Sequence, residues 1–258
     1  MNKAISDVAR GFKLYHVWLY QAYYNLSAKY RRTIFGSLWI AANMVFTSIA
    51  ISLVWGGLWG KSLQEVLPYS LAGNLIGTMC LLPFYEGPDM FVGNSGMITN
   101  HAYPFTYYVL ETVAQKLMLF VNNLIVYYIF MIVLHGPLIP NWTVVPGLAL
   151  VVVGLFFWGS LIGMLAARFR DLRYLLPNIG HILYFLTPIY WHYEMLKTNH
   201  WVADFNPLYA LVSIIRTPLM GGLASPENWS ASLITVAIGA VLWAIFFPMF
   251  RRRIPFWV

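Results

Sequence analysis

Charge is what this chain has least of. Only 25 of its 258 residues are Asp, Glu, Lys or Arg, about 10% against the roughly 25% that wraps an ordinary soluble domain. So few charges cannot solvate a soluble surface of this size, and a 60% hydrophobic content excludes disorder. A single cysteine, Cys80, excludes an intramolecular disulfide and any thiolate cluster for zinc or iron–sulfur. Six histidines (His16, His101, His135, His181, His192, His200) are dispersed without the i, i+4 pairing of a helical metal site, so no metal is expected. A phosphate-binding loop is also missing: Gly60-Lys61-Ser62 ends like one, but Trp55 stands where the motif requires glycine. What these absences leave is an integral membrane protein. Its net charge of +7 belongs to loop topology rather than to a nucleic-acid footprint.

The charge-free windows set the organisation. Thr33–Gly60 holds no charge over 28 residues, and Val66–Tyr85 holds none over 20. Leu117–Ala167 runs 51 residues without a charge. That is roughly 77 Å of helix, more than two thicknesses of a ~30 Å hydrocarbon core. It must fold back, and His135-Gly136-Pro137-Leu138-Ile139-Pro140-Asn141 supplies the breakers. Tyr174–Tyr193 and Asn228–Phe250 add runs of 20 and 23 residues. The reading is an all-α polytopic protein with six transmembrane helices, near 34–60, 66–92, 106–134, 142–167, 175–193 and 229–250. They form one membrane domain over 33–250, preceded by an interfacial segment over 1–32 and followed by a basic tail over 251–258.

Lys and Arg then orient the spans. Lys3, Arg10, Lys13, Lys29, Arg31 and Arg32 precede span one; Arg168, Arg170 and Arg173 join spans four and five; Arg251, Arg252 and Arg253 follow span six. Those 12 stand against Lys61, Lys197 and Arg216 on the other side, with Lys116 inside span three. The positive-inside bias puts both termini in the cytoplasm. Leu14–Ala28, only 15 residues and heavily aromatic, does not read as a signal peptide.

Before span one, Ile5, Val8, Phe12, Tyr15, Leu19, Tyr23, Leu26 and Tyr30 recur every three or four residues, an apolar helical stripe from which Lys3, Asp7, Arg10, Lys13 and Lys29 are absent. An amphipathic helix in the headgroup region fits this pattern. It serves either as a plain anchor or as a helix that meets a lipid headgroup or a cytosolic partner. Glu86 and Lys116 come to similar depth in adjacent antiparallel spans, which predicts an intramembrane ion pair; Asp89 and Glu111 are the other intramembrane acids. A proton or ion relay needs more acids on more helices.

Several short segments together resemble the permease subunits of ABC transporters that export polysaccharides such as O-antigen, capsule and teichoic acid. Tyr30-Arg31-Arg32-Thr33-Ile34-Phe35-Gly36-Ser37-Leu38-Trp39 is similar to that family's basic lead-in followed by Leu-Gly-x-Leu-Trp. Asn94–Pro104 ends in an aromatic-Pro pair, Tyr103-Pro104, and Ala167-Arg168-Phe169-Arg170-Asp171-Leu172 resembles Arg-aromatic-Arg-Asp-Leu. Thr187-Pro188-Ile189-Tyr190, Asn206-Pro207-Leu208 and Ile215-Arg216 complete an ordered set over most of the chain. Asn43 departs from it, standing where the family often has proline.

The resemblance implies roles. Asn100, His101, Arg168, Arg170, Asp171 and Arg173 would couple to a separate cytosolic ATPase, the second loop forming a short amphipathic docking helix; the rival reading is inner-side positive charge alone. Glu194–Glu227 would form short re-entrant helices between spans five and six, with Asn206, Pro207 and Arg216 at an exit gate. Lys29, Arg31 and Arg32 suit a lipid-phosphate headgroup at the inner interface.

Aromatics number 45. Trp142, Trp201, Trp229 and Trp257 suit interface belts. Trp39, Phe46, Trp55, Tyr184, Phe185, Tyr190 and Trp191 either pack helices or stack on sugar rings along a glycan pathway. The implied assembly is a homodimer with two ATPase subunits that hold ATP and Mg, in a bacterial inner membrane, carrying a lipid-linked polysaccharide such as O-antigen. This chain itself would hold no cofactor and catalyse nothing. Rivals are capsule or teichoic acid export, a small-lipid or drug exporter, and an ion-coupled secondary transporter, which should show inverted repeats. A glycosyltransferase would need acidic groups such as Glu194, Asp204 and Glu227 at a catalytic spacing that they lack.

Overall fold

Proline and glycine decide where most helices of this chain stop. A computed structural model describes residues 2–195, 198 and 200–258; Lys197, one of the basic residues assigned to the side opposite the termini, lies outside them. Every regular element among the described residues is helical. In order they are α1 (Asn2–Lys13), α2 (Tyr15–Tyr30), α3 (Leu38–Trp59), α4 (Leu63–Cys80), α5 (Leu82–Tyr85), α6 (Asp89–Val92) and α7 (Ser95–Asn100). There follow α8 (Phe105–His135), α9 (Val144–Arg168), α10 (Leu172–Leu186), α11 (Trp201–Asp204), α12 (Pro207–Leu219), α13 (Pro226–Phe250) and α14 (Ile254–Trp257).

Four of these segments are long and apolar enough to cross a membrane: α3, α8, α9 and the run from α13 through α14. The other two stretches that the sequence reads as spans are not continuous helices. Span two breaks into α4, α5 and α6, because Pro83 enters just inside α5 and Gly87-Pro88 separates α5 from α6. Gly87 packs so close to the Pro83 carbonyl that no side chain fits there. Span five ends early as α10. Pro188 forces the residue before it out of helical geometry, and Thr187 is extended at φ −81°, ψ 138°. The second loop is also tighter than expected: only Phe169-Arg170-Asp171 separates α9 from α10, leaving no room for a docking helix of its own.

One end of the bundle collects both chain ends. Asp7 in α1 accepts from the Thr106 backbone N–H (3.1 Å) at the start of α8 and from Arg251 Nη1 (2.6 Å) just past α13. Both charged residues are buried, at 3% and 8% exposure. The 251–258 segment is therefore not a free basic tail: Arg251 is locked in this pair, Ile254 is fully buried, and Trp257 faces Arg168 at the end of α9. At the far end, Gly60 closes α3 with φ 65°, and the Asn141 N–H donates to the Pro218 carbonyl (2.8 Å).

The N-terminal helices dock with the apolar stripe turned away from the bundle. Ile5, Phe12, Tyr15, Leu19 and Tyr23 of the apolar stripe are exposed, while Ala4, Asp7, Gly11 and Ala22 are buried. Gly11 lies against Thr106, and Asn25 Nδ2 donates to Glu111 Oε1 (2.7 Å), so small and polar residues face α8. In a lipid solvent this is the expected sense, since lipid is as apolar as leucine and close packing decides helix contacts.

The α9–α13 seam follows the same rule. Trp158 of α9 lies over Gly239 of α13 and donates Nε1–H to Thr235 O (3.1 Å), while Trp243 Nε1–H donates to Ser160 Oγ (3.0 Å). Further along α9, Gly159 faces Met90 and Gly163 faces the Gly87 carbonyl.

Candidate functional site

Against that close-packed seam stands a cleft of about 360 Å³, walled by α3, α4, α8 and α10, with polar groups set into a mainly apolar lining. Each wall contributes polar groups from an otherwise apolar helix: Asn43 and Thr47 from α3, Asn74 and Thr78 from α4, Lys116 and Asn123 from α8, and His181 with Tyr184 from α10. Asn43/Thr47 and Asn74/Thr78 are one helical turn apart, which aligns each pair on one face. α3 runs unbroken through Asn43.

Asn74 is the keystone of the wall. Its Nδ2 donates to Met44 O and Ser48 Oγ (both 3.2 Å), while its Oδ1 accepts from Tyr184 Oη (2.6 Å). Tyr184 also shares a 2.9 Å hydrogen bond with Tyr190 Oη. One asparagine thus ties α4 to α3 and α10. Lys116, in the cleft, is held by Glu86 Oε1 at 2.8 Å, so the positive charge facing the cleft is paired.

Of the seven aromatics considered for a glycan pathway, the structure puts Tyr184, Phe185 and Tyr190 in the cleft lining and the other four outside it. Trp39 and Phe46 point outward from α3 and are exposed. Trp55 stacks on Trp59 (4.2 Å between centroids), and Trp191 donates Nε1–H to Phe185 O (3.2 Å).

The segment 187–190 is irregular backbone buried in the bundle, and its polar groups are met by side chains. Arg216 Nη1 donates to Pro188 O (2.6 Å), Ser70 Oγ to Tyr190 O (3.3 Å), and Asn206 Nδ2 to Thr187 Oγ1 (2.9 Å). Non-helical backbone at such depth requires this kind of satisfaction. Gly73 and Gly77 make the room: a side chain at Gly73 would run into the Ile189 carbonyl. Asn206 also caps α12 through the Leu208 N–H (3.0 Å), and Pro207 opens that helix. Asn206 and Arg216 therefore brace one buried segment together.

A second polar pocket, also about 360 Å³, lies toward the far end around Tyr69, His192, Tyr209, Ser213 and Arg216. His192, outside the spanning helices, has its pKa lowered to about 4, by burial first and then by the positive charges of Lys61 and Arg216. It is neutral at physiological pH.

The terminal end is basic and exposed. Asn100 and His101 close α7, and Arg168, Arg170 and Asp171 form the α9–α10 corner, all at the surface. Arg173 is exposed as well and is ion-paired with Asp89. Lys29, Arg31 and Arg32 are exposed between two anchors to α8, the Asn25–Glu111 bond and a 3.2 Å bond from Ser37 Oγ to Asn122 Oδ1.

Sequence reasoning passed over Asn74, Thr78, Asn123, Ser213 and the Asp7–Arg251 pair. The signal for the first two was available as polar residues at i, i+4 inside a charge-free window. No protein-family model matches this chain, and no curated protein matches it either.

Proposed function

We propose that this chain is the membrane-spanning subunit of an ATP-driven exporter that moves a lipid-linked polysaccharide, of the O-antigen kind, across a bacterial inner membrane. The observation that carries the proposal is the cleft: polar side chains and aromatic rings from four helices converge on one cavity among otherwise apolar segments. Hydroxyl and amide groups there can exchange hydrogen bonds with a sugar, and Tyr184, Phe185 and Tyr190 offer ring faces.

In this reading α4–α6 together make the second crossing and α10 the fifth, with α11 and α12 re-entrant between crossings five and six. Both termini are cytoplasmic. A second copy completes the pathway, and two cytosolic ATPase subunits that bind ATP and Mg dock on the exposed face formed by Asn100, His101, Arg168, Arg170 and Asp171. Arg173 acts there through its ion pair with Asp89. Lys29, Arg31 and Arg32 meet the lipid phosphate of the substrate.

Co-purification from native membranes tests the proposal. The expected result is a nucleotide-hydrolysing subunit and a glycolipid accompanying the chain, with the Arg170→Ala/Asp171→Ala double variant losing most ATPase association while remaining folded. A preparation without any ATPase, or a fully active double variant, overturns it.

A further inference from the structure

The far-end pocket contains a charge that the protein does not balance. Arg216 is 3% exposed, yet no carboxylate lies within 4 Å of it among the described residues. Its guanidinium carries five N–H donors, and among the described residues one meets an acceptor, the Pro188 carbonyl. A buried cation left in this state is costly unless something pairs with it.

Ser213, one turn earlier on α12, points to the same conclusion. It is 2% exposed, lines the same pocket, and its Oγ has no hydrogen-bond partner. Tyr209, Ser213, Arg216 and Thr217 line the pocket from α12, at the spacing of a single helical face, with Met220 just past the end of that helix.

The surroundings restrict what can sit there. The Tyr69 ring is held between the Arg216 guanidinium and the His192 imidazole, each centred 3.8 Å away, so the arginine is fixed in place. His192 is neutral, and Lys61 adds positive field nearby. Glu194 also lines the pocket but is exposed, an acceptor for hydroxyls rather than a counter-ion for Arg216. Tyr193 and Tyr209 stack on each other at 5.9 Å beside it, presenting aromatic surface. The volume equals that of roughly twelve liquid waters, room for more than a bare ion.

From this geometry we infer that the far-end pocket binds a carboxylate or phosphate carried on a sugar ring, with Arg216 and Ser213 Oγ holding the oxyanion and Glu194 accepting from ring hydroxyls. The sugar part rests on the glycan-export reading; the oxyanion part stands on the pocket alone. An exporter with such a site handles acidic rather than neutral glycans.

The test is calorimetric binding to the full chain in nanodiscs of neutral lipid. Probes are a glucuronate-containing disaccharide, glucose 1-phosphate, the neutral glucose disaccharide and inorganic phosphate, with anionic-lipid nanodiscs as a separate arm. Both acidic sugars should bind, and the neutral disaccharide and inorganic phosphate should bind at least tenfold more weakly. Arg216→Gln should lose at least tenfold in affinity. Because Arg216 also braces Pro188, Ser213→Ala is the second variant: it should keep the wild-type melting temperature and bind three- to fivefold more weakly.

Equal binding of the neutral disaccharide, or wild-type affinity in both folded variants, overturns the inference. Inorganic phosphate binding as tightly as the sugars removes the ring from it. Probe binding abolished in anionic nanodiscs reassigns the site to a lipid headgroup. Acid-sugar binding without any co-purifying ATPase leaves the pocket and removes the exporter reading; the presence of the ATPase and glycolipid without acid-sugar binding does the reverse.

Discussion

The α9–α13 seam and the α3–α4–α10 wall are both helix contacts in one bundle, built by opposite means. The seam is close-packed through glycine, with tryptophan rings laid over the gaps and their N–H groups satisfied across the interface. The wall is held by hydrogen bonds that converge on Asn74 and opens onto a cavity. Steric contacts of the first kind admit one arrangement. Hydrogen bonds at a cavity edge can be exchanged for bonds to water or to a passing hydroxyl at little cost. The seam is suited to staying shut and the wall to being wetted.

The largest effect should come from the seam. Gly239→Leu puts a branched side chain into the Trp158 ring, and the expected outcome is loss of the monodisperse folded peak in size-exclusion chromatography. Asn43→Leu, at the exposed cleft edge, should leave that peak unchanged. If both variants behave alike, the contrast between seam and wall is broken.

Asp7→Ala comes next, since it leaves Arg251 buried and unpaired. Breaking a buried ion pair from one side costs about 3–5 kcal/mol, read as a large drop in thermal stability in detergent. The double variant Asp7→Asn/Arg251→Met should recover much of that drop. Asn74→Leu should be milder, about 1–2 kcal/mol for polar contacts between membrane helices. Its effect on transport should exceed its effect on melting, because the wall loses its hold on Tyr184. A variant that melts far lower yet transports normally would assign the wall to structure alone.

The smallest expected effect is a pH dependence that fails to appear. With the His192 pKa depressed to about 4, the imidazole stays neutral from pH 5.5 to 8 and gains its proton only well below that range. Affinity of the far-end pocket for the glucuronate disaccharide, whose carboxylate is ionised throughout, should be flat across the window. A step near pH 6.5 that disappears in His192→Gln would show that the imidazole titrates as an ordinary exposed histidine.

The sequence was most legible where period and charge agree. Four long apolar helices, the breakers after His135 and the depth match of Glu86 with Lys116 can all be read from spacing. The other two candidate spans are less legible because hydropathy is blind to backbone: Val66–Tyr85 is charge-free, yet Pro83 and Pro88 divide the chain beyond Leu81 into short helices. In the N-terminal helices the apolar stripe does not mark the face packed on the bundle: Ala4, Gly11 and Ala22 face it and most of the stripe stays exposed, the sense expected of an interfacial helix whose apolar face meets lipid. Asn206, Arg216 and Thr187-Pro188 were noticed as separate motifs. That they converge on one buried segment is a long-range fact, with 28 residues separating Arg216 from Pro188, and no local pattern encodes it.

The Asp7–Arg251 contact joins residues 244 positions apart. During synthesis, Asp7 leaves the ribosome long before Arg251 exists, and α1 can complete its docking only once α13 has been made. Without Arg251 the Asp7 carboxylate at the start of α8 would keep only its bonds to Thr106, so the seating of the first helix depends on a residue supplied from the far side of the sequence.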